Sequence, residues 1–233
     1  MLAISRRAVL CLMMTFPFAV RASSHSLKEV EENLYEKEKY YQPVDVEAPS
    51  FALQDANGRT LNLTDFKGKV VVLHFIYTNC PDVCPLHAEK IAAVQNMVNI
   101  TPMKGQVQFI TVTTDPKRDA GQVLRDYGDN HGLDPVNWMF LTAAAGGPED
   151  TTRRLAKAYG VEFRMAADGS EQMHGVVTSI IDQDGILRAR FHGLDFQNVN
   201  MVIFINALIN KVQVPHADRK PGFWESLGAW LWP

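Results

Sequence analysis

A mixed α/β sheet with helices on both faces is the fold class predicted by three observations on the 233-residue chain. Val70 to Tyr77 and Val107 to Thr113 are almost unbroken apolar runs rich in β-branched residues, as strands covered on both faces must be. Stretches of helical period separate such runs, so strands and helices alternate. Asp182-Gln183-Asp184-Gly185 then joins the last two runs as a hairpin, which adds antiparallel pairing. Composition agrees, because 46% hydrophobic and 21% charged residues exclude a disordered chain and a collagen-like one. Lys plus Arg at 23 against Asp plus Glu at 26 leaves a net charge of −3, no electrostatic footprint for nucleic acid.

Taken in order, Met1 to Ala22 places Arg6-Arg7 before the apolar run Ala8 to Val20 and small residues at the end, the plan of a cleavable secretory signal. The run holds 13 residues including Pro17, short of the roughly 20 that cross a bilayer, which disfavours an uncleaved anchor. Export to a bacterial periplasm is the preferred destination. Ser5-Arg6-Arg7 also resembles a twin-arginine start, and the acid-free beginning fits a mitochondrial presequence too. Cleavage after Ala22 would remove Arg6, Arg7, Arg21 and Cys11, taking the charge from −3 to −6.

Residues 23–47 read as a Glu/Lys-rich linker in which Leu27, Val30 and Leu34 permit a short amphipathic helix. A domain is expected over 48–213. It opens with an N-terminal hairpin, Ser50 to Leu53 and Thr60 to Leu63, turned by Asn57-Gly58. The strand Val70 to Tyr77 follows, then a helix through Ile91, Val94 and Val98 that stops before Thr101-Pro102. Next come the strand Val107 to Thr113, a helix Val123 to His131 closed at Gly132, and the short strand Trp138 to Leu141. A helix Glu149 to Tyr159 ends at Gly160, the strands Val176 to Ile181 and Ile186 to Phe191 form the hairpin, and Phe196 to Val212 is a last apolar helix. Residues 214–233 form a tail in which Phe223, Trp224, Leu227, Trp230 and Leu231 share one helical face. It would dock on a membrane surface or a partner, or fold back over the domain.

Removing the signal leaves Cys80 and Cys84, too few for a disulfide framework. They sit between a buried strand and a helix, where the carboxyl end of a parallel strand opens a crevice. Helix N-terminal amides and the macrodipole favour thiolates there. Thiol–disulfide exchange and metal binding both follow from such a pair, and three intervening residues allow either a disulfide or a clasp on one soft cation such as Cu(I). A metal wants a third ligand. If the strand from Val176 runs antiparallel beside the strand ending at Tyr77, its beginning lies next to the end of the other, and His174 becomes the geometric choice. His74, inside an apolar strand, reads as a core histidine. His87 could reach a metal, or simply occupy an exposed first turn. Met165 and Met173 could offer thioethers, although packing accounts for them as well.

The segment Tyr77-Thr78-Asn79-Cys80-Pro81-Asp82-Val83-Cys84-Pro85 closely resembles the signature of the Sco/SenC family of copper chaperones. Phe109 to Asp119 resembles the family's strand and Asp-Pro-x-Arg-Asp turn, and His174 before an apolar strand resembles its distal histidine. The likeness covers about Ala48 to Val212. It implies a thioredoxin-like fold, one copper ion, Cu(I) or Cu(II), held by Cys80, Cys84 and His174, Asp115 as a supporting acid, and delivery to the binuclear copper site of cytochrome c oxidase. The partners it implies are a copper-accepting oxidase subunit and a protein that reduces the thiols. Mobile, exposed ligands would suit such transfer.

The alternative is a thiol-disulfide oxidoreductase in which Cys80 attacks and Cys84 resolves. Against it, thioredoxin-like reductases resemble one another in a cis-proline before the strand facing the cysteines, and no proline occurs between Arg164 and Ile186. A peroxidatic reading is discounted, since Thr78 lies two residues before Cys80 where peroxiredoxins have three.

Overall fold

The structure, a computed structural model, describes residues 26–165 and 171–210, and for Met165, Glu171, Gln172 and His174 the backbone alone. The signal, the tail, His25 and His216 lie outside the described residues.

Among the described residues ten strands and five α-helices follow one another: α1 (Leu27–Lys37), β1 (Tyr41–Glu47), β2 (Ala52–Asp55), β3 (Thr60–Asn62), β4 (Val70–Ile76), α2 (Val83–Asn99), β5 (Val107–Thr113), α3 (Gln122–Asn130), β6 (Trp138–Thr142), α4 (Thr151–Ala158), β7 (Glu162–Met165), β8 (Glu171–His174), β9 (Val177–Ile181), β10 (Ile186–His192) and α5 (Asn198–Asn210). Eight strands form one sheet in the order β1-β10-β9-β4-β5-β6-β2-β3, while β7 and β8 make a separate hairpin. The pairs β4–β5 and β5–β6 are parallel. The mixed sheet predicted from sequence is therefore present, and the whole of β4 and β5 is buried, which is why both read as continuous apolar runs.

Alternation along β4 divides the core. Val70, Val72 and Ile76 join a cluster with Ile91 of α2, Leu124 of α3 and Phe204 of α5. Val71, Leu73 and Phe75 face the opposite way, toward Ala156 of α4, Phe66 and Tyr159. Helices thus cover both faces. Turn chemistry follows the punctuation of the sequence: Gly58, Gly132, Gly160 and Gly185, which end elements, all have positive φ.

Within 23–47, expected as a linker permitting a short amphipathic helix, the helix is present, and the linker reading of the described residues is corrected. From Leu27 the chain is structural: Ser26 accepts the Glu29 amide at 3.2 Å as an N-cap, α1 buries Val30 and Leu34 against α5, and β1 pairs antiparallel with β10. Glu38, buried, reinforces this by accepting the Gln197 amide at 2.9 Å and the Asn200 amide group at 2.8 Å, which supplies a carboxylate at the start of α5. The charge density that suggested a linker belongs to one solvated face of α1. The hairpin β7–β8 is also absent from the sequence reading.

Candidate functional site

β4 delivers the chain at Ile76 into a tight loop, where the Cys80 amide donates to the Tyr77 carbonyl at 3.2 Å. α2 begins at Val83 without a side-chain cap from Asp82. The sulfur of Cys80 takes that place, accepting the amide of Cys84, second residue of the helix, at 3.4 Å. Both thiols are unbridged. They are also less accessible than transfer chemistry suggested, with Cys80 8% exposed and Cys84 1%.

The two are electrostatically unequal. Burial works against a thiolate at Cys80, but hydrogen bonds from the Cys84 thiol, the amides of Asp82 and Cys84 and the Tyr77 hydroxyl outweigh it and lower the pKa. Cys84 is pushed up, first by burial, then by its bond to Cys80. Tyr77, partly buried and bonded to Cys80, is pushed up to about 12. The helix N-terminus was expected to activate both sulfurs. It does so at Cys80, whereas desolvation wins at Cys84. The arrangement can present one thiolate backed by a proton-bearing thiol, or two soft donors to a cation once Cys84 gives up its proton.

A residue that sequence reasoning passed over holds this loop. Asp119, fully buried, accepts the amide of Thr78 at 2.9 Å, the hydroxyl of Thr78, and the hydroxyl of Thr113 at 2.5 Å. Asp115, expected to support the site, instead binds Arg118 at 2.5 Å. The signal for Asp119 was its place at the end of the Asp-Pro-x-Arg-Asp turn. Its partner Thr78 lies 41 residues away, beyond any periodicity. Tyr127 of α3 adds a tie to the first turn of α2, donating to the Cys84 carbonyl at 3.2 Å.

β9 runs antiparallel beside β4, as the topological argument for His174 required, with His74 opposite Thr178. The backbone of His174 ends β8, paired with Glu162, and leads through Gly175, at φ 87°, into β9. Among the described residues no three histidine, cysteine or acidic side chains gather as a metal cluster. Met173 is partly buried against both core clusters, so packing accounts for it. His131 stacks on Tyr127 with ring centroids 4.3 Å apart, and His192 bonds Gln42 at 2.8 Å.

His74 and His87 are the surprise. His74 is the core histidine its strand predicted, but His87 is buried too, not exposed in a first turn. Their rings stand 4.6 Å apart. His74 Nε2 lies 3.2 Å from the Thr111 hydroxyl, which accepts Trp138 Nε1–H at 2.9 Å, and His87 Nε2 lies 2.8 Å from the Thr178 hydroxyl. Burial drives the pKa of His74 from 6.5 to about 3 and that of His87 well down also. Both stay neutral in the fold, so below pH 6.5 the unfolded chain binds protons that the native state refuses. Stability is expected to fall as pH drops from 6.5 toward 3, by about 2 kcal/mol at pH 5 from His74 alone. Urea denaturation of wild type and His74→Phe at pH 7 and pH 5 checks this, the variant losing less on acidification.

The sequence pattern of the SCO1/SenC family matches residues 39–209. An SCO2-like protein of Rickettsia typhi is 35% identical over 67% of this chain and 74% of its own, and the SCO1 protein homolog of Bacillus subtilis 30% identical over 66% and 77%. A mitochondrial SCO2 homolog of Bos taurus is 38% identical over 58% of this chain and half of its own length. Among solved structures, BsSco, described as a member of the Sco family of cytochrome c oxidase assembly proteins with a disulfide switch, superposes with a TM-score of 0.62 at 20% identity over 72% of this chain and 96% of that one. Yeast Sco1 with copper bound gives 0.58 at 23% identity over 77% and 98%. With the matched span running from the end of α1 to α5 and enclosing both cysteines, the chain belongs to the SCO1/SenC family.

Proposed function

We propose that the chain is a copper metallochaperone of cytochrome c oxidase assembly, exported to the periplasm by residues 1–22, that holds one copper ion as cargo on Cys80, Cys84 and His174 and passes it to the oxidase's binuclear copper site. The observation that carries the reading is the pair of unbridged thiols at the β4–α2 junction in a chain of this family. Relatives described with copper bound, and one described as an oxidase assembly protein, support it. Thiolates select copper, and an imidazole suits both oxidation states. The acceptor would be an oxidase subunit, and a thiol-reducing protein would keep the pair reduced. No helix among the described residues is long and apolar enough to cross a membrane. Contact with the membrane surface would fall to the tail at 214–233.

Titrating the reduced full chain with copper tests this. One equivalent should bind, and His174→Ala should weaken Cu(II) roughly 10-fold or more, the scale of losing or misplacing one ligand contact. Unchanged affinity in that variant would remove His174 from the site.

The inequality of the thiols favours a second reading, dithiol exchange. Cys80 as thiolate attacks a substrate disulfide to give a mixed disulfide, and Cys84 displaces the substrate thiol, leaving the protein oxidised and the substrate reduced. Insulin reduction that persists in Cys84→Ser would exclude this mechanism.

A further inference from the structure

Behind the cysteines, one contact lies where the strands that lead to them and to His174 part company. The pairing of β4 with β9 runs from Val71 opposite Ile181 to His74 opposite Thr178 and goes no further. Past that pair, β4 continues to the Cys80 loop, while the chain on the other side runs back from β9 through Gly175 to His174. His87 bridges this fork. It stands on α2 one turn beyond Cys84, is 1% exposed, and bonds Thr178 through Nε2 at 2.8 Å. Thr178 is itself fully buried. Among the described residues this is the side-chain hydrogen bond that joins α2 to β9, and the His74 ring beneath supports it at 4.6 Å.

We propose that His87 is a positioning residue for the copper site: through Thr178 it fixes the distance between the helix turn carrying Cys84 and the strand that issues from His174. The inference rests on the reading of Cys80, Cys84 and His174 as copper ligands. A buried hydrogen bond of this length tolerates little drift, since either partner left alone has no water to turn to. Two thiolates on one loop and helix turn can approach a cation together, but the imidazole must arrive from a different strand. The gap across the fork therefore decides whether a third donor reaches the ion. Neither of the cysteines nor His174 changes when this tie is cut, so the effect should appear in the geometry of the bound ion rather than in its presence.

The test compares wild type, Thr178→Val, which keeps the side-chain shape and removes the hydroxyl, and His87→Gln, whose amide can still reach Thr178. Each is titrated with Cu(II) in the reduced full-length form, and the thiolate-to-copper charge-transfer spectrum and the copper-free thermal midpoint are recorded. Thr178→Val should bind one equivalent about 10- to 100-fold more weakly with a displaced charge-transfer band. His87→Gln should recover most of the affinity and the wild-type band. Wild-type affinity and spectrum in Thr178→Val would overturn the inference, as would weaker binding with an unmoved band and a proportionate fall in thermal midpoint, which marks general destabilisation. Should Thr178→Val fail to fold, His87→Leu, which removes the same bond from the other side, takes its place beside His87→Gln: a displaced band in His87→Leu with the wild-type band in His87→Gln supports the tie, and the wild-type band in His87→Leu refutes it. If wild type itself binds no copper, the proposed function falls first, and this inference with it.

Discussion

Replacing Cys84 with alanine is expected to take copper binding from one equivalent per chain to none and to move the titration of the Cys80 thiolate upward. The first effect follows from the donor set, because one thiolate and one imidazole leave a soft ion without its better half. The second follows from the site's hydrogen bonds. Cys84 supplies a thiol donor that lowers the pKa of Cys80, and alanine cannot, while the amides of Asp82 and residue 84 remain. Copper stoichiometry and the ultraviolet absorbance of the thiolate against pH measure the two separately. A variant that still binds one equivalent would show that the pair is not the site. A variant with an unmoved thiolate midpoint would show that Cys84 is not the donor that makes Cys80 reactive.

Asp119→Ala is expected to lower stability by about 3 kcal/mol, because three donors to one buried carboxylate lose their acceptor. In a domain of this size that corresponds to roughly 6–12 °C in the thermal midpoint. The damage is directional. The Thr78 amide is part of the backbone and cannot rotate to another partner, so the cost concentrates in the loop two residues before Cys80. Faster alkylation of Cys80 and Cys84 by iodoacetamide should accompany the lower midpoint, reporting a loop that opens more often. A midpoint within 2 °C of wild type would mean that the carboxylate's own burial cost cancels its bonds.

Much of the fold was legible because its centre obeys a simple rule. β4 and β5 pair in parallel under helices on both faces, and seven consecutive buried residues in each can only be written with apolar or satisfied polar side chains. Glycines at element ends gave the boundaries to within a few residues. β1 escaped notice for the opposite reason. Tyr-Gln-Pro-Val-Asp-Val-Glu is an edge strand, mostly exposed, and its pattern matches a solvated linker until β10 is there to pair with it. At the site, the positions of Cys80 and Cys84 could be read from spacing and punctuation. Their burial and unlike pKa values could not, since Asp119 and Tyr127 close on the loop from separate elements and the bond between the two thiols, which lowers one and raises the other, exists only in the fold. His87 shows the limit most clearly: its partner Thr178 is 91 residues away, and nothing local distinguishes a buried histidine from an exposed one in the first turns of a helix.

The margins of the eight-stranded sheet have a meaning for how copies of this chain meet. On one side β1 carries Pro43, which offers no amide hydrogen, a shift in register between Pro43 and Val46, and the acids Asp45 and Glu47. On the other, β3 is only three residues long. Neither border invites another strand, so growth by edge-to-edge pairing is blocked at both ends. A chain begun at residue 48 would strip away β1, bare the seven residues of β10, and turn a self-contained sheet into a template for polymerisation.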